Sequence, residues 1–246
     1  MSEARASLTS RPEKDPAFVL HSYPYRETSL IVEVFSRHKG RMGLVARGAR
    51  RPKSVLRGIL LAFQPLEISW GGKSELKTLH DAEWRGGVAQ LRGKPLICGF
   101  YMNELLLKLL AREDPHEGLF QHYDEAIRAL ARETDEVLPA IMRRFEKALL
   151  KELGYGLTLD READGARVEP EMRYAYQVDR GPVRLSAGAA ASFELSGKTL
   201  LDLACDNYND PVTQLQGRQL MRQIIGHHLG RQPLHTRQIM MELQQP

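Results

Sequence analysis

The chain has 246 residues, 42% of them hydrophobic and 27% charged, with a formal net charge of +4. That length can bury a core in one or two domains, and no low-complexity tract is present, which excludes a fibrous or wholly disordered protein. Two cysteines in 246 residues exclude a disulfide framework.

The charge is unevenly placed. Residues 1–80 carry 14 basic and 7 acidic side chains, residues 81–160 carry 11 and 14, and residues 161–246 carry 10 and 10. The whole excess lies in the first third, which points to an anionic partner there, nucleic acid ahead of a membrane surface.

Residues 1–15, MSEARASLTSRPEKD, are polar and read as a flexible lead-in without an apolar signal core. Five short β-rich runs follow, at 17–23, 29–36, 41–47, 59–70 and 75–84, separated by turn residues such as Pro24, Gly40 and Gly71-Gly72-Lys73. Such spacing predicts a small barrel or sandwich, with Pro65 bending or edging its strand. Across the third run, residues 37–57 (RHKGRMGLVARGARRPKSVLR) hold eight cations and no acid: Arg37, Lys39, Arg41, Arg47, Arg50, Arg51, Lys53 and Arg57. Cations so concentrated are poor core material, and they suit phosphates, because each one held near a polyanion releases a counterion. Aromatic residues interleave with them, and an exposed ring can stack a base. Tyr25, which follows Pro24 in an expected turn, is the leading ring among Tyr23, Tyr25, Phe35, Phe63 and Trp70.

Beyond Gly93 the apolar period becomes helical. Helices are expected at 94–111, 119–131 and 135–153, the second carrying Leu119, Phe120, Tyr123, Ala126, Ile127 and Leu130 on one stripe. Residues 96–110 form the longest apolar run, but Asn103, Glu104 and Lys108 interrupt it and it is too short to span a bilayer, so a soluble, cytoplasmic protein is expected. A hairpin is expected at 172–178 and 183–185, then short helices at 188–195 and 199–204. A last helix should run 211–229, capped by Asp210 with Pro211 at its first position. From 211 to 241 there is no acid, so Arg218 and Arg222 form a weaker, secondary candidate for DNA binding.

No catalytic constellation stands out. Gly71-Gly72-Lys73-Ser74 lacks the earlier glycine of a phosphate-binding loop and precedes a strand; it reads as a hairpin turn. His227 and His228 are adjacent, hence about 100° apart on a helix and poorly placed to share a metal. Cys98 and Cys205 sit in apolar surroundings and are expected to be small core residues in a reducing compartment.

The order of AFVLHSYPYRETSLIVEVF (17–35), GRMGLVARGARRPKS (40–54), GILLAFQPLEISWGGKSELKTL (58–79), YMNELLLKLL (101–110) and RRFEKALLKELGYG (143–156) resembles RecO, the recombination mediators of bacterial DNA repair. The resemblance implies an α+β chain of several parts: an OB-fold barrel at 16–85, a helical domain at 93–156, and a C-terminal segment at 157–246 with a hairpin, short helices and a terminal basic helix. It also implies a non-enzymatic protein without ATP or other cofactor. Such a protein binds single- and double-stranded DNA, anneals complementary strands and, with RecR, helps load RecA onto strands covered by single-strand-binding protein (SSB). The acidic SSB tail would dock on the helical domain at Arg143 and Arg144, beside Tyr101 and Leu105. Family members with a zinc ribbon place CxxC pairs around the hairpin. Here those regions read Thr158-Leu159-Asp160-Arg161 and Arg173-Tyr174-Ala175-Tyr176, so the hairpin is expected to be kept and the metal lost. A protein-binding scaffold without direct DNA contact and an RNA-binding OB-fold protein are the other classes the pattern allows.

Overall fold

Period-two alternation builds the first third of the chain. The computed structural model describes residues 14–186, 191 and 193–242. These residues fall into two compact units, one comprising the described residues as far as Val88 with Ala111–Glu117, the other Ala89–Leu110 with everything from Gly118 on.

In the first unit, β1 (Asp15–Tyr25), β2 (Ser29–Ser36), β3 (Gly40–Ala46), β4 (Pro65–Gly71) and β5 (Leu76–Trp84) close a barrel in the order β1-β2-β3-β5-β4. This is the arrangement of an OB-fold. Two pairings close it: β3 runs parallel to β5 at Gly43–Leu76 and Val45–Thr78, and β1 runs antiparallel to β4. Val32, Val34, Met42, Leu44, Ala46, Leu66 and Ile68 point inward as the core, so their neighbours Ile31, Glu33 and Val45 belong to the outer face. A bulge between Val19 and His21 shifts the register of β1, and beyond it His21–Pro24 are exposed.

Two expectations change here. The lead-in 1–15 lies outside the described residues only as far as 13, and Asp15 already belongs to β1, where its buried carboxylate accepts from Ser36 and from His38 Nδ1 at 2.5 Å. The run at 59–70 is not one strand. One helical turn, α1 (Leu56–Ile59), comes first, then Phe63 in a left-handed conformation (φ 65°), and the strand starts only at Pro65. Proline has no N–H to give a ladder, so it fits a strand's first residue. Leu60 and Phe63 are buried all the same, which is why the run reads as a continuous strand. The Gly71-Gly72 turn does join β4 to β5 as a hairpin, with Gly71 opposite Thr78.

Segment Ala111–Glu117 straps the barrel. Glu113 N donates to Arg41 O at 2.9 Å, Arg112 pairs with Glu33 at 2.6 Å, and Lys77 bonds Glu113. The Asp114 backbone presses on Gly40, where a side chain would collide with it and where φ is 68°. Only glycine meets both demands.

The second unit holds α2 (Gly93–Leu109), α3 (Glu117–Leu130), a 3₁₀ turn at Asp135–Val137, and α4 (Leu138–Glu152) with Pro139 in its first turn. The stripe expected on α3 is buried in full. A three-stranded sheet follows, order β7-β6-β8, from β6 (Arg173–Gln177), β7 (Gly181–Arg184) and β8 (Leu195–Ser196). Then come α5 (Gly197–Ala204), α6 (Pro211–Leu229) and α7 (His235–Glu242). Asp210 caps α6 as expected, accepting from Val212 N at 2.8 Å. Two readings need correction. Half of the helix expected at 188–195 falls on residues outside those described, the described ones are not helical, and Leu195 itself is in a strand. Nor is 211–229 the last helix: Leu234 packs into the core and His235 opens α7. Among the described residues no helix is long and apolar enough to cross a membrane.

Candidate nucleic-acid and peptide interfaces

The run of eight cations is continuous in sequence and divided in space. Strand β3 spans about 20 Å, at roughly 3.3 Å per residue, and separates its two ends. At one end lie Arg37, Lys39 and Arg41. Here neighbouring elements supply the acids that the run lacks: Arg37 Nε lies 3.5 Å from Glu117, and Arg41, mostly buried, pairs at 3.3 Å with buried Glu33. Burial holds the Arg41 guanidinium below its usual range, with the nearby Arg112 acting the same way. Lys39 stays exposed.

At the other end lie Arg47, Arg50, Arg51, Lys53 and Arg57, all exposed. The register sets Leu30 opposite Ala46 and Tyr25 opposite Ser29, so the β1–β2 turn joins them here. Arg50 ties the two loops together, donating to the carbonyls of Arg26 (3.2 Å) and Glu27 (3.3 Å) while its N–H donates to Thr28 O. Among the described residues the side chains of Arg47, Arg51, Lys53 and Arg57 form no hydrogen bond or ion pair. Four free cations and one that braces their loop make this end the phosphate-binding candidate.

Tyr25 is the last residue of β1 rather than part of a turn; it is half-buried, with the Arg26 guanidinium 5.2 Å from its ring centre. The more open ring is Tyr23, 46% exposed, which meets His21 edge-on at 4.5 Å. Tyr23, Ile31, Val45 and Thr78 form one transverse row across β1, β2, β3 and β5 on the outer face. Sequence alone ranks Tyr25 higher because it cannot place the bulge that turns β1 outward.

In the second unit the consecutive arginines of α4 diverge into two grooves. Arg144 enters a cleft of about 690 Å³ with Ile141, Phe145, Lys147 and Lys151 of α4 and Ala126 of α3. Its guanidinium lies 5.6 Å from the Tyr208 ring, and Lys147 pairs with Asp206 at 2.7 Å. Arg143 enters a different cleft, of about 400 Å³, with Tyr101 and Met142, and there meets Arg218, Arg222 and Arg237.

Arg143 itself is committed. Its Nη2 donates to Glu146 Oε1 at 2.8 Å, its Nε lies 2.6 Å from Glu146 Oε2, and the Tyr101 hydroxyl donates to the same carboxylate at 2.8 Å. Burial pushes the Glu146 carboxyl up, against the pull of Arg143 and Tyr101. Leu105 is fully buried and does not line this cleft, so it cannot touch a ligand there. The cations left to meet one are Arg218, Arg222 and Arg237, which have no ion pair among the described residues. Of the expected tail site, Tyr101 and Arg143 therefore share one groove with the expected secondary DNA site, floored by Ile225, Leu229 and Leu234, whereas Arg144 lies in the other cleft.

Glu104 fixes the far wall. Its carboxylate accepts from His235 N (2.8 Å), Thr236 N (2.9 Å) and Thr236 Oγ1 (2.7 Å), and pairs with Lys108 at 2.8 Å. These are the orphan donors that open α7. Burial alone would raise the carboxyl, but Lys108 and the bonds from Thr236 and His235 carry it down to about 2.

Around the C-terminal hairpin, where CxxC pairs would lie, a charged network stands. Arg184 donates to Glu162 at 2.6 and 2.9 Å and to Glu169 at 2.7 Å, and the Tyr174 hydroxyl donates to Glu162 at 3.2 Å. Among the described residues no three His, Cys, Asp or Glu side chains converge as a metal site requires. Cys98 is buried and its thiol pushed up to about 11 by that burial, whereas Cys205 is exposed, contrary to the expectation of two core cysteines.

Comparison with known proteins agrees with this architecture. Residues 11–88 match the family described as recombination protein O, N terminal, and residues 92–238 match its C-terminal counterpart. A protein of Nitrosospira multiformis named DNA repair protein RecO is 56% identical over 237 residues, 96% of this chain and 97% of that protein. One of the same name from Dechloromonas aromatica is 52% identical over 240 residues, 97% of this chain and 99% of its own. A third, from Aromatoleum aromaticum, is 51% identical over 240 residues, again 97% and 99% of the two chains. With both halves matched and relatives more than half identical along nearly its whole length, the chain belongs to the recombination protein O family, RecO.

Proposed function

We propose that this protein is a non-enzymatic recombination mediator of DNA repair. It binds single- and double-stranded DNA, anneals complementary strands and, with RecR, assists the loading of RecA onto SSB-covered strands. The observation that carries the reading is the cluster Arg47, Arg51, Lys53 and Arg57, exposed and, among the described residues, unpaired, near the Tyr23 row. Unpaired cations grip phosphates without reading sequence. Two strands neutralised on one surface repel each other less, while their bases stay free to pair; annealing needs no further chemistry. Full-length relatives named for DNA repair support the same reading.

The SSB tail, acidic with an apolar end, is assigned to the groove of Tyr101, Arg218, Arg222 and Arg237. Cations line its rim and aliphatic side chains its floor. Replacing Arg47, Arg51, Lys53 and Arg57 with alanine should flatten the slope of log K against log salt on single strands by roughly 0.7 for each phosphate no longer held. An unchanged slope refutes the barrel assignment. The mutant should keep its affinity for the SSB tail.

A further inference from the structure

The groove assigned above to an acidic tail contains a glycine that the fold itself does not use. Gly226 lies inside α6, in the turn that ends at Leu229. A side chain built on it would meet no described atom within 4 Å. The other glycine of this helix, Gly217, is different, since there a Cβ would lie 2.9 Å from Leu203 and close packing explains the residue. A glycine within a helix loses more chain entropy than any other residue on folding, so a glycine without a packing reason is a standing cost.

Its surroundings indicate what the cost serves. Arg218, Arg222 and Gly226 succeed one another at intervals of four and share one face of α6. Ile225 and Leu229 border the same cleft, and Pro233, Leu234 and Arg237 close its far side. Four arginines line the cleft against one acid, Glu146, which Arg143 already neutralises.

We infer that Gly226 is the point at which an acidic, apolar-ended peptide lays its main chain directly on α6, making it a specificity-determining residue through the side chain it lacks. The missing Cβ lets the peptide backbone approach the helix. Its carboxylates then reach Arg218, Arg222 and Arg237, and its terminal apolar side chains reach Leu229 and Leu234. This inference rests on the assignment of the groove to the tail.

The test compares Gly226→Ala, Gly226→Leu and Arg222→Ala in the full chain, with thermal melting and the fluorescence anisotropy of a labelled SSB tail peptide. Gly226→Ala should raise Tm by roughly 2–4 °C, as expected for an unused helix glycine in a chain of this size. It should weaken the peptide about threefold, and Gly226→Leu about tenfold or more. Normal affinity in Gly226→Leu with a loss in Arg222→Ala overturns the role of Gly226 and leaves the groove standing. Normal affinity in both removes the groove assignment itself. A lower Tm in Gly226→Ala shows that the fold occupies the space, and that also overturns the inference.

Discussion

Replacing Glu104 with glutamine keeps the shape of the side chain and removes its charge. In the native protein that charge holds the opening turn of α7 through two backbone amides, the Thr236 hydroxyl and Lys108. The Glu104 side chain is only 11% exposed, so solvent screens these bonds little. Its pKa falls from 4.5 to about 2. At about 1.4 kcal/mol per unit, the charged form contributes on the order of 3 kcal/mol. The folded value lies below the unfolded one, so the contribution is complete above about pH 4.5 and fades as pH falls towards 2. Urea denaturation of the wild type and Glu104→Gln should therefore differ by up to about 3 kcal/mol at pH 7 and by clearly less at pH 3. Hydrogen exchange should show lost protection at the His235 and Thr236 amides. Because α7 carries Arg237, affinity for the SSB tail should drop in parallel. Equal midpoints at pH 7, or a gap that is the same at pH 3 as at pH 7, would refute the electrostatic account.

Two further outcomes follow from other parts of the molecule. Tyr23→Ala should weaken single-stranded DNA binding by about 1–3 kcal/mol, the usual range for one stacked base, and Tyr25→Ala by less; a filter-binding titration giving the reverse order would move the stacking platform. Glu162→Gln should lower the denaturation midpoint of the C-terminal part. A chelator should leave the wild-type melt unchanged, whereas one zinc per chain by elemental analysis would contradict the charged network as the fastener of that hairpin.

Sequence pattern exposes the elements better than the surfaces. The alternation in SLIVEVFS places β2 at its observed ends, and Asp210-Pro211 marks the start of α6, because both signals are local. The acid-free run misleads for the opposite reason. Glu33 and Glu117, which pair with its first cations, lie outside the run: the β2–β3 register brings Glu33 to Arg41, and the strap brings Glu117 to Arg37. Arg143 and Arg144 are legible as a divergent pair; which of them meets a buried glutamate is not. The groove of Arg218, Arg222 and Arg237 needs α7, an eight-residue helix whose apolar content is too sparse to announce itself.

The strap at Ala111–Glu117 bears on how the protein can be dissected. The barrel's chain is interrupted: it leaves at Val88 and returns for these few residues after a long helix. A fragment ending at Val88 would expose the Gly40 seat and leave the buried Glu33 with Arg41 alone, since Arg112 is lost with the excised part. An excised N-terminal barrel is thus a poor stand-in for the native one, and weak DNA binding by such a piece would say nothing about the intact surface. Conversely, one proteolytic nick between Val88 and Ala111 need not release the barrel, because the strap still grips it.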